Sequence, residues 1–212
     1  MTADVEQCRV YLITPPKLEI TTFADELKSA FDGGDVACLQ LRLKNIGRDD
    51  VKRAAEVIHP ICQSYDVAFL LNDDPHLAKE IDADGVHVGE DDATAEGARE
   101  VVGEDKIVGV SCYNSKHRAM EAGEQEADYI AFGAFYPTQT KQVKAYATPD
   151  LLEFWSTYTT LPCVAIGGIT PDNCQPLVRA GADFICMISA VWQHVDGPEA
   201  AIKSFNKAIA SA

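Results

Sequence analysis

The sequence predicts an α/β fold with parallel strands, a single (β/α)8 TIM barrel, and three observations lead there. Eight short apolar runs rich in β-branched residues each lead into a stretch of helical periodicity or a turn. One phrase recurs in form, from Asp82 to Gly89, from Glu126 to Gly133 and from Gly181 to Ile188, each a turn feeding what would be strands four, six and eight. No G-x-G-x-x-G follows the first strand, where Leu12-Ile13-Thr14-Pro15-Pro16 stands, so a doubly wound dinucleotide sheet is the weaker reading. With 212 residues and 47% hydrophobic content the chain can bury one full core, and one barrel uses all of it, giving a single domain over 1–212.

The elements follow in order. The first strand starts near Arg9 and a helix is expected over 22–31. The second strand starts near Val36 and carries Leu39-Gln40-Leu41-Arg42-Leu43-Lys44, whose alternation puts Gln40, Arg42 and Lys44 on one face and three leucines on the other. Two cations beside a buried leucine face are costly without an anionic partner, and phosphate suits both Arg and Lys. A helix over 49–63 leads to a third strand that starts near Ala68 and ends Leu71-Asn72-Asp73-Asp74. The fourth starts near Gly85 and ends Gly89-Glu90-Asp91-Asp92. These five carboxylates at adjacent strand ends repel one another unless a cation lies between them, and hard oxygen ligands favour Mg²⁺. Asp73 and Asp92 are the metal candidates, with Asp74 and Asp91 read as helix caps. His87 falls on the face opposite Val86 and Val88, lining the mouth or satisfied in the core, and is given no catalytic role.

A helix over 93–102 precedes the fifth strand, near Ile107, in which Cys112 points away from the face of Ser111. A helix over 116–125 precedes the sixth, near Tyr129, which runs into Phe135-Tyr136-Pro137-Thr138-Gln139-Thr140-Lys141. Its two hydroxyls, backbone amides and one cation make an anion cradle, with a surface turn as the alternative. Thr148-Pro149 and Thr170-Pro171 place a hydroxyl cap before a proline at the first helical position, opening helices over 149–158 and 172–180. The seventh strand starts near Cys163 and ends Ile166-Gly167-Gly168-Ile169. The eighth starts near Phe184, ends Ile188-Ser189-Ala190 and is followed by a helix over 198–209. Glycines after strand seven and a small polar residue after strand eight stand where many barrels bind phosphate through backbone amides, tight packing at the turn being the alternative.

A formal charge of -15 and a pI near 4.6 disfavour nucleic acid or an anionic membrane as the main partner, so basic residues must act by local placement. No apolar run approaches the roughly 20 residues of a spanning helix, and the start lacks the basic and apolar regions of a signal peptide, which predicts a cytoplasmic protein. The seven cysteines contain no CxxC pair and sit mostly in apolar runs, as buried thiols do.

Together these motifs resemble thiamine phosphate synthase. The matching residues are Gln40-x-Arg42-x-Lys44, Asn72-Asp73, Gly85-Val86-His87-Val88-Gly89 with Asp92, Gly109-Val110-Ser111, Phe132-Gly133 through Pro137-Thr138-Gln139-Thr140-Lys141, Ile166-Gly167-Gly168-Ile169 and Ile188-Ser189, from about Tyr11 to Phe205. The resemblance implies condensation of 4-amino-2-methyl-5-hydroxymethylpyrimidine diphosphate with 4-methyl-5-(2-phosphoethyl)thiazole, or its carboxylated form, to thiamine phosphate and pyrophosphate. It implies that Gln40, Arg42, Lys44, Asn72, Ser111 and Lys141 hold the pyrimidine diphosphate, with Arg42, Lys44 and Lys141 neutralising the leaving group. By the same resemblance Asp73 and Asp92 hold Mg²⁺, and Thr138, Gln139, Thr140, Gly168, Ile188 and Ser189 hold the thiazole phosphate. The chain departs from the family pattern at Glu90, where Gln is usual, at Asp74, where Arg is frequent, and over 142–147. A thiazole tautomerase-like isomerase and a non-catalytic barrel that binds thiamine phosphate are the alternatives, and the oligomeric state stays open, a homo-oligomer included.

Overall fold

A computed structural model describes residues 7–138, 143 and 145–212. In chain order the elements are β1 (Arg9–Ile13), α1 (Ile20–Asp32), β2 (Cys38–Leu41), α2 (Arg48–Ser64), β3 (Ala68–Asn72), α3 (Pro75–Glu80), β4 (Gly85–Val88), α4 (Ala95–Val102), β5 (Ile107–Tyr113), α5 (Lys116–Glu124), β6 (Tyr129–Gly133), α6 (Pro149–Tyr158), β7 (Cys163–Ile166), α7 (Gln175–Arg179), β8 (Phe184–Met187), α8 (Ser189–Trp192) and α9 (Gly197–Ala210). The eight strands pair in parallel and in sequence order, and β1 closes on β8 in the register Leu12↔Met187, so the α/β barrel read from the sequence is the fold.

Closure separates two cores. Residues facing outward, such as Val10, Leu39, Leu41, Val86, Cys112 and Phe132, pack under the helices with Phe23, Leu27, Ile58, Trp155 and Phe205. Residues facing inward, among them Tyr11, Ile13, Cys38, Leu70, Tyr129, Val164 and Cys186, fill the barrel. The alternation expected of β2 holds: its leucines face the helices and Gln40 is turned inward, only 2% exposed. All seven cysteines are buried free thiols. Burial pushes the Cys62, Cys112 and Cys163 thiols up to about 12, so they stay neutral at physiological pH.

The recurring phrase has a physical meaning. Asp84, Asp128 and Asp183 stand just before β4, β6 and β8, and each clamps the start of an earlier strand. The carboxylate of Asp84 accepts the Phe69 N–H at 2.7 Å, that of Asp128 the Val108 N–H at 2.7 Å and that of Asp183 the Cys163 N–H at 2.7 Å. The backbone N–H of each aspartate donates back to the same strand, to Phe69, Val108 and Cys163 carbonyls. Phe69 and Val108 are the second residues of β3 and β5 and Cys163 is the first of β7, so the repeated aspartate supplies an acceptor for a strand N–H near the barrel floor each time.

Several boundaries differ from the sequence reading. β2 leaves the sheet after Leu41, although Leu43 still packs on the outer core. The sequence pattern gives no sign of α3, whose apolar positions Pro75, Leu77 and Ala78 are too few to show a period. α4 starts at Ala95 because Thr94 caps it, accepting the Gly97 N–H. α7 starts at Gln175, since Thr170-Pro171 enters a turn in which the Asn173 side chain accepts the Thr170 N–H at 2.8 Å. Thr148 does occupy the cap position before Pro149, with no side-chain cap bond. Among the described residues no helix is long and apolar enough to cross a membrane.

Candidate active site at the barrel mouth

The C-terminal ends of β1 and β2 are laced together before they reach the mouth. Thr14 donates its N–H to the Gln40 carbonyl at 3.0 Å, and its buried hydroxyl accepts the Arg42 N–H at 2.9 Å. Lys44 donates its N–H to the Pro16 carbonyl at 3.0 Å, while the two prolines have no N–H of their own to leave unpaired. Arg42 and Lys44 are therefore held by their backbone, half-buried, beyond the last ladder pair of β2. Burial pushes the Arg42 guanidinium down from its ordinary value, and the Asp73 carboxylate acts against that shift.

Asp73 follows β3 with φ of 70°, its N–H donated to the His87 carbonyl of β4 at 2.8 Å. Asp92 folds back on the end of β4, one carboxylate oxygen accepting the Gly89 N–H at 2.8 Å. The other three acids of this rim have different work. Asp74 caps α3 through the Leu77 N–H at 2.8 Å and pairs with Arg48 at 3.0 Å. Glu90 pairs with Arg118 at 2.7 Å. The charge that the sequence left unbalanced at Asp74 and Glu90 is thus met by arginines of α2 and α5, so these two of the departures from the family pattern are paired locally. Asp91 is exposed and caps no helix, because Thr94 has that place.

Among the described residues no three His, Cys, Asp or Glu gather as a metal cage. Mg²⁺ does not need one: it is held through one or two carboxylates plus substrate phosphate oxygens. The hard-oxygen pair Asp73 and Asp92 on adjacent strand ends fits that donor set.

Behind the rim, a chain of side chains crosses the barrel interior. Gln40 donates its amide N–H to the Tyr11 hydroxyl at 2.8 Å, the Tyr11 and Tyr129 hydroxyls meet at 2.8 Å, Tyr129 meets His87 Nδ1 at 2.9 Å, and His87 Nε2 meets Ser111 Oγ at 2.8 Å. Burial holds both phenols well above their ordinary pKa, hence protonated. Gly109 makes the crossing possible, since a Cβ there would overlap the Tyr129 ring. The register slips between Ser111 and Tyr113, a bulge of the kind that re-aims a side chain at a barrel rim. Tyr11 and Tyr129 escape the sequence reading because alternation assigns them a face but not a partner on the far side of the barrel.

On the opposite rim, the loop after β6 is fastened to the end of β7. Phe135 and Tyr136 donate their N–H groups to Ile166 and Gly167 at 3.1 and 2.9 Å, and the Tyr136 hydroxyl donates to the Asn173 carbonyl at 2.8 Å. Gly168 has φ of 64°, and a Cβ there would run into the Tyr136 and Pro137 carbonyls. Its lack of a side chain is therefore needed for packing, whatever its backbone also binds. Thr138 is half-buried, and Gln139, Thr140 and Lys141 lie outside the described residues. Ile188 follows β8 and Ser189 opens the short α8 with its side chain exposed. Asn72 is the last residue of β3, paired in register with His87.

Comparisons with known proteins bear on the family and the fold. The family model described as thiamine monophosphate synthase matches residues 10–191. A thiamine-phosphate synthase of Rhodospirillum centenum is 52% identical over 200 residues, spanning 94% of this chain and 97% of the relative. One from Hyphomonas neptunium is 50% identical over 203 residues, 93% and 92% of the two chains. Among solved structures, a thiamine phosphate pyrophosphorylase from Pyrococcus furiosus superposes with a TM-score of 0.84 at 29% identity over 97% of each chain.

Proposed function

The chain belongs to the thiamine monophosphate synthase family, and from that premise we propose that it joins 4-amino-2-methyl-5-hydroxymethylpyrimidine diphosphate to 4-methyl-5-(2-phosphoethyl)thiazole, or its carboxylated form, releasing pyrophosphate. The observation that carries this reading is the half-buried Arg42 set beside the Asp73 carboxylate at the mouth. A guanidinium kept there at a desolvation cost finds its return in a multiply charged anion, and a diphosphate shared with a cation held by Asp73 and Asp92 is such a ligand.

The reaction needs no protein nucleophile. The bond between the pyrimidine methylene and the diphosphate oxygen breaks, the electron pair leaves with the diphosphate, and the thiazole nitrogen donates its lone pair to the methylene. Gln40, Asn72 and Ser111 orient the pyrimidine diphosphate, while Arg42, Lys44 and Lys141 receive the leaving charge. Thr138, Gln139, Thr140, Gly168, Ile188 and Ser189 anchor the thiazole phosphate so that the ring nitrogen faces the methylene. Asp73 and Asp92 would hold Mg²⁺ there, and the ion would supply electrostatic stabilisation of the leaving diphosphate. The buried thiols take no part, being protonated and turned into the cores.

Pyrophosphate release by the purified protein, with each substrate and Mg²⁺ omitted in turn, tests the reading. Release is expected only when both substrates and the metal are present. Absence of release in the complete mixture would sink it, and turnover of a thiazole alone would identify an isomerase instead.

A further inference from the structure

The polar chain inside the barrel has a direction. Each phenol has one proton to donate. Tyr11 is 3% exposed, and the Gln40 N–H that it accepts cannot take its proton, so that proton goes to Tyr129. Tyr129, 6% exposed, then has its own proton left for His87 Nδ1. A nitrogen that accepts is unprotonated, which leaves the ring proton on Nε2, where it is donated to Ser111 Oγ. Ser111 consequently accepts from His87 and keeps its hydroxyl proton for another acceptor. The two ends of the chain, Gln40 and Ser111, are both residues of the pyrimidine diphosphate site.

We propose that Tyr129 locks His87 as its neutral Nε2–H tautomer and that His87 is thereby the positioning residue that makes Ser111 a hydrogen-bond donor into the barrel mouth. The role given to Ser111's proton rests on the substrate reading above; the tautomer does not. Were the chain reversed, Ser111 would donate to His87 and present only lone pairs to an anion. Gly109 is part of the device, because only an open Cβ position lets the Tyr129 ring pass to His87. The arrangement costs little to maintain, since every buried member has a partner.

The test is two-bond ¹H–¹⁵N correlation spectroscopy of the histidine rings in the full-length, substrate-free protein, with His87→Gln identifying the resonance. The expected pattern is a protonated Nε2 and an unprotonated Nδ1, kept in Ser111→Ala and lost in Tyr129→Phe. In parallel, Tyr129→Phe is expected to raise the KM for the pyrimidine diphosphate about three- to tenfold, the worth of one hydrogen bond, with the KM for the thiazole phosphate unchanged. A protonated Nδ1 in the wild-type protein overturns the proposal, and so does a Tyr129→Phe variant with an unaltered ring pattern. The wild-type spectrum alone decides if Tyr129→Phe fails to fold. Should the tautomer behave as expected while Ser111→Ala leaves the pyrimidine diphosphate KM unchanged, the substrate reading falls and the lock on His87 stands.

Discussion

At the scale of single residues, Arg42 is the side chain whose placement makes least sense without a ligand. Its backbone is fixed by Thr14, its guanidinium is partly desolvated, and Asp73 offsets only part of that cost. A methionine would cover the same surface with no charge to desolvate, and Asp73, being exposed, would remain hydrated. Arg42→Met is therefore expected to leave the urea midpoint unchanged or higher while lowering kcat/KM for the pyrimidine diphosphate by about two to three orders of magnitude, the scale of a lost charge-stabilising donor. Loss of stability in step with activity would instead make Arg42 a structural residue. His87 makes the complementary point: both ring nitrogens are satisfied and it is 7% exposed, so it acts through what it holds.

At the scale of elements, strand starts were legible and the cross-barrel contacts were not. The starts of β1 and of every strand from β3 to β8 fall where an apolar β-branched run begins, because burial on both faces writes a continuous apolar word. Asp84, Asp128 and Asp183 were visible as a repeated phrase, yet their clamping role depends on strands far away in sequence, as does the meeting of Tyr11 with Tyr129. Each clamp joins a carboxylate to a strand N–H, so Asp84→Ala and Asp183→Ala are each expected to cost about 1–3 kcal/mol in urea unfolding, and Asp128→Ala more, because its carboxylate also pairs with the buried Arg99 at 2.6 Å. Their effects should add, the three clamps being separate. The N-cap of α1 gives a pH signature. Glu19 accepts the Thr22 N–H at 2.8 Å and both Thr21 and Thr22 hydroxyls, which draw its carboxyl from an ordinary 4.5 down to about 2. A lowered folded pKa means stability that is present above pH 4.5 and disappears as pH falls toward 2. The unfolding midpoint of the wild type is expected to exceed that of Glu19→Gln at pH 6 and to meet it near pH 2; a constant gap would remove the charge from the cap.

At the scale of the whole molecule, the question is whether the metal belongs to the fold or only to the reaction. Eight strand pairs close the barrel, two apolar cores lie inside and outside it, and Arg48 and Arg118 already neutralise Asp74 and Glu90 on the acidic rim. Of the other three acids, Asp73 is tied to the scaffold through its own N–H on the His87 carbonyl and Asp92 through its carboxylate on the Gly89 N–H, so the fold itself positions both. A ligand that binds an already folded site stabilises it only by mass action, about 0.4 kcal/mol when free Mg²⁺ equals its Kd. For a barrel of 212 residues that moves the thermal midpoint by about 1–2 °C. Chelation is accordingly expected to abolish pyrophosphate release with a near-constant melting curve, and Asp73→Asn to shift the Mg²⁺ titration of activity to higher concentration without lowering the midpoint. A chelated protein that melts many degrees earlier would make the metal a structural ion, and Asp73 and Asp92 would then be part of what holds β3 and β4 in the barrel.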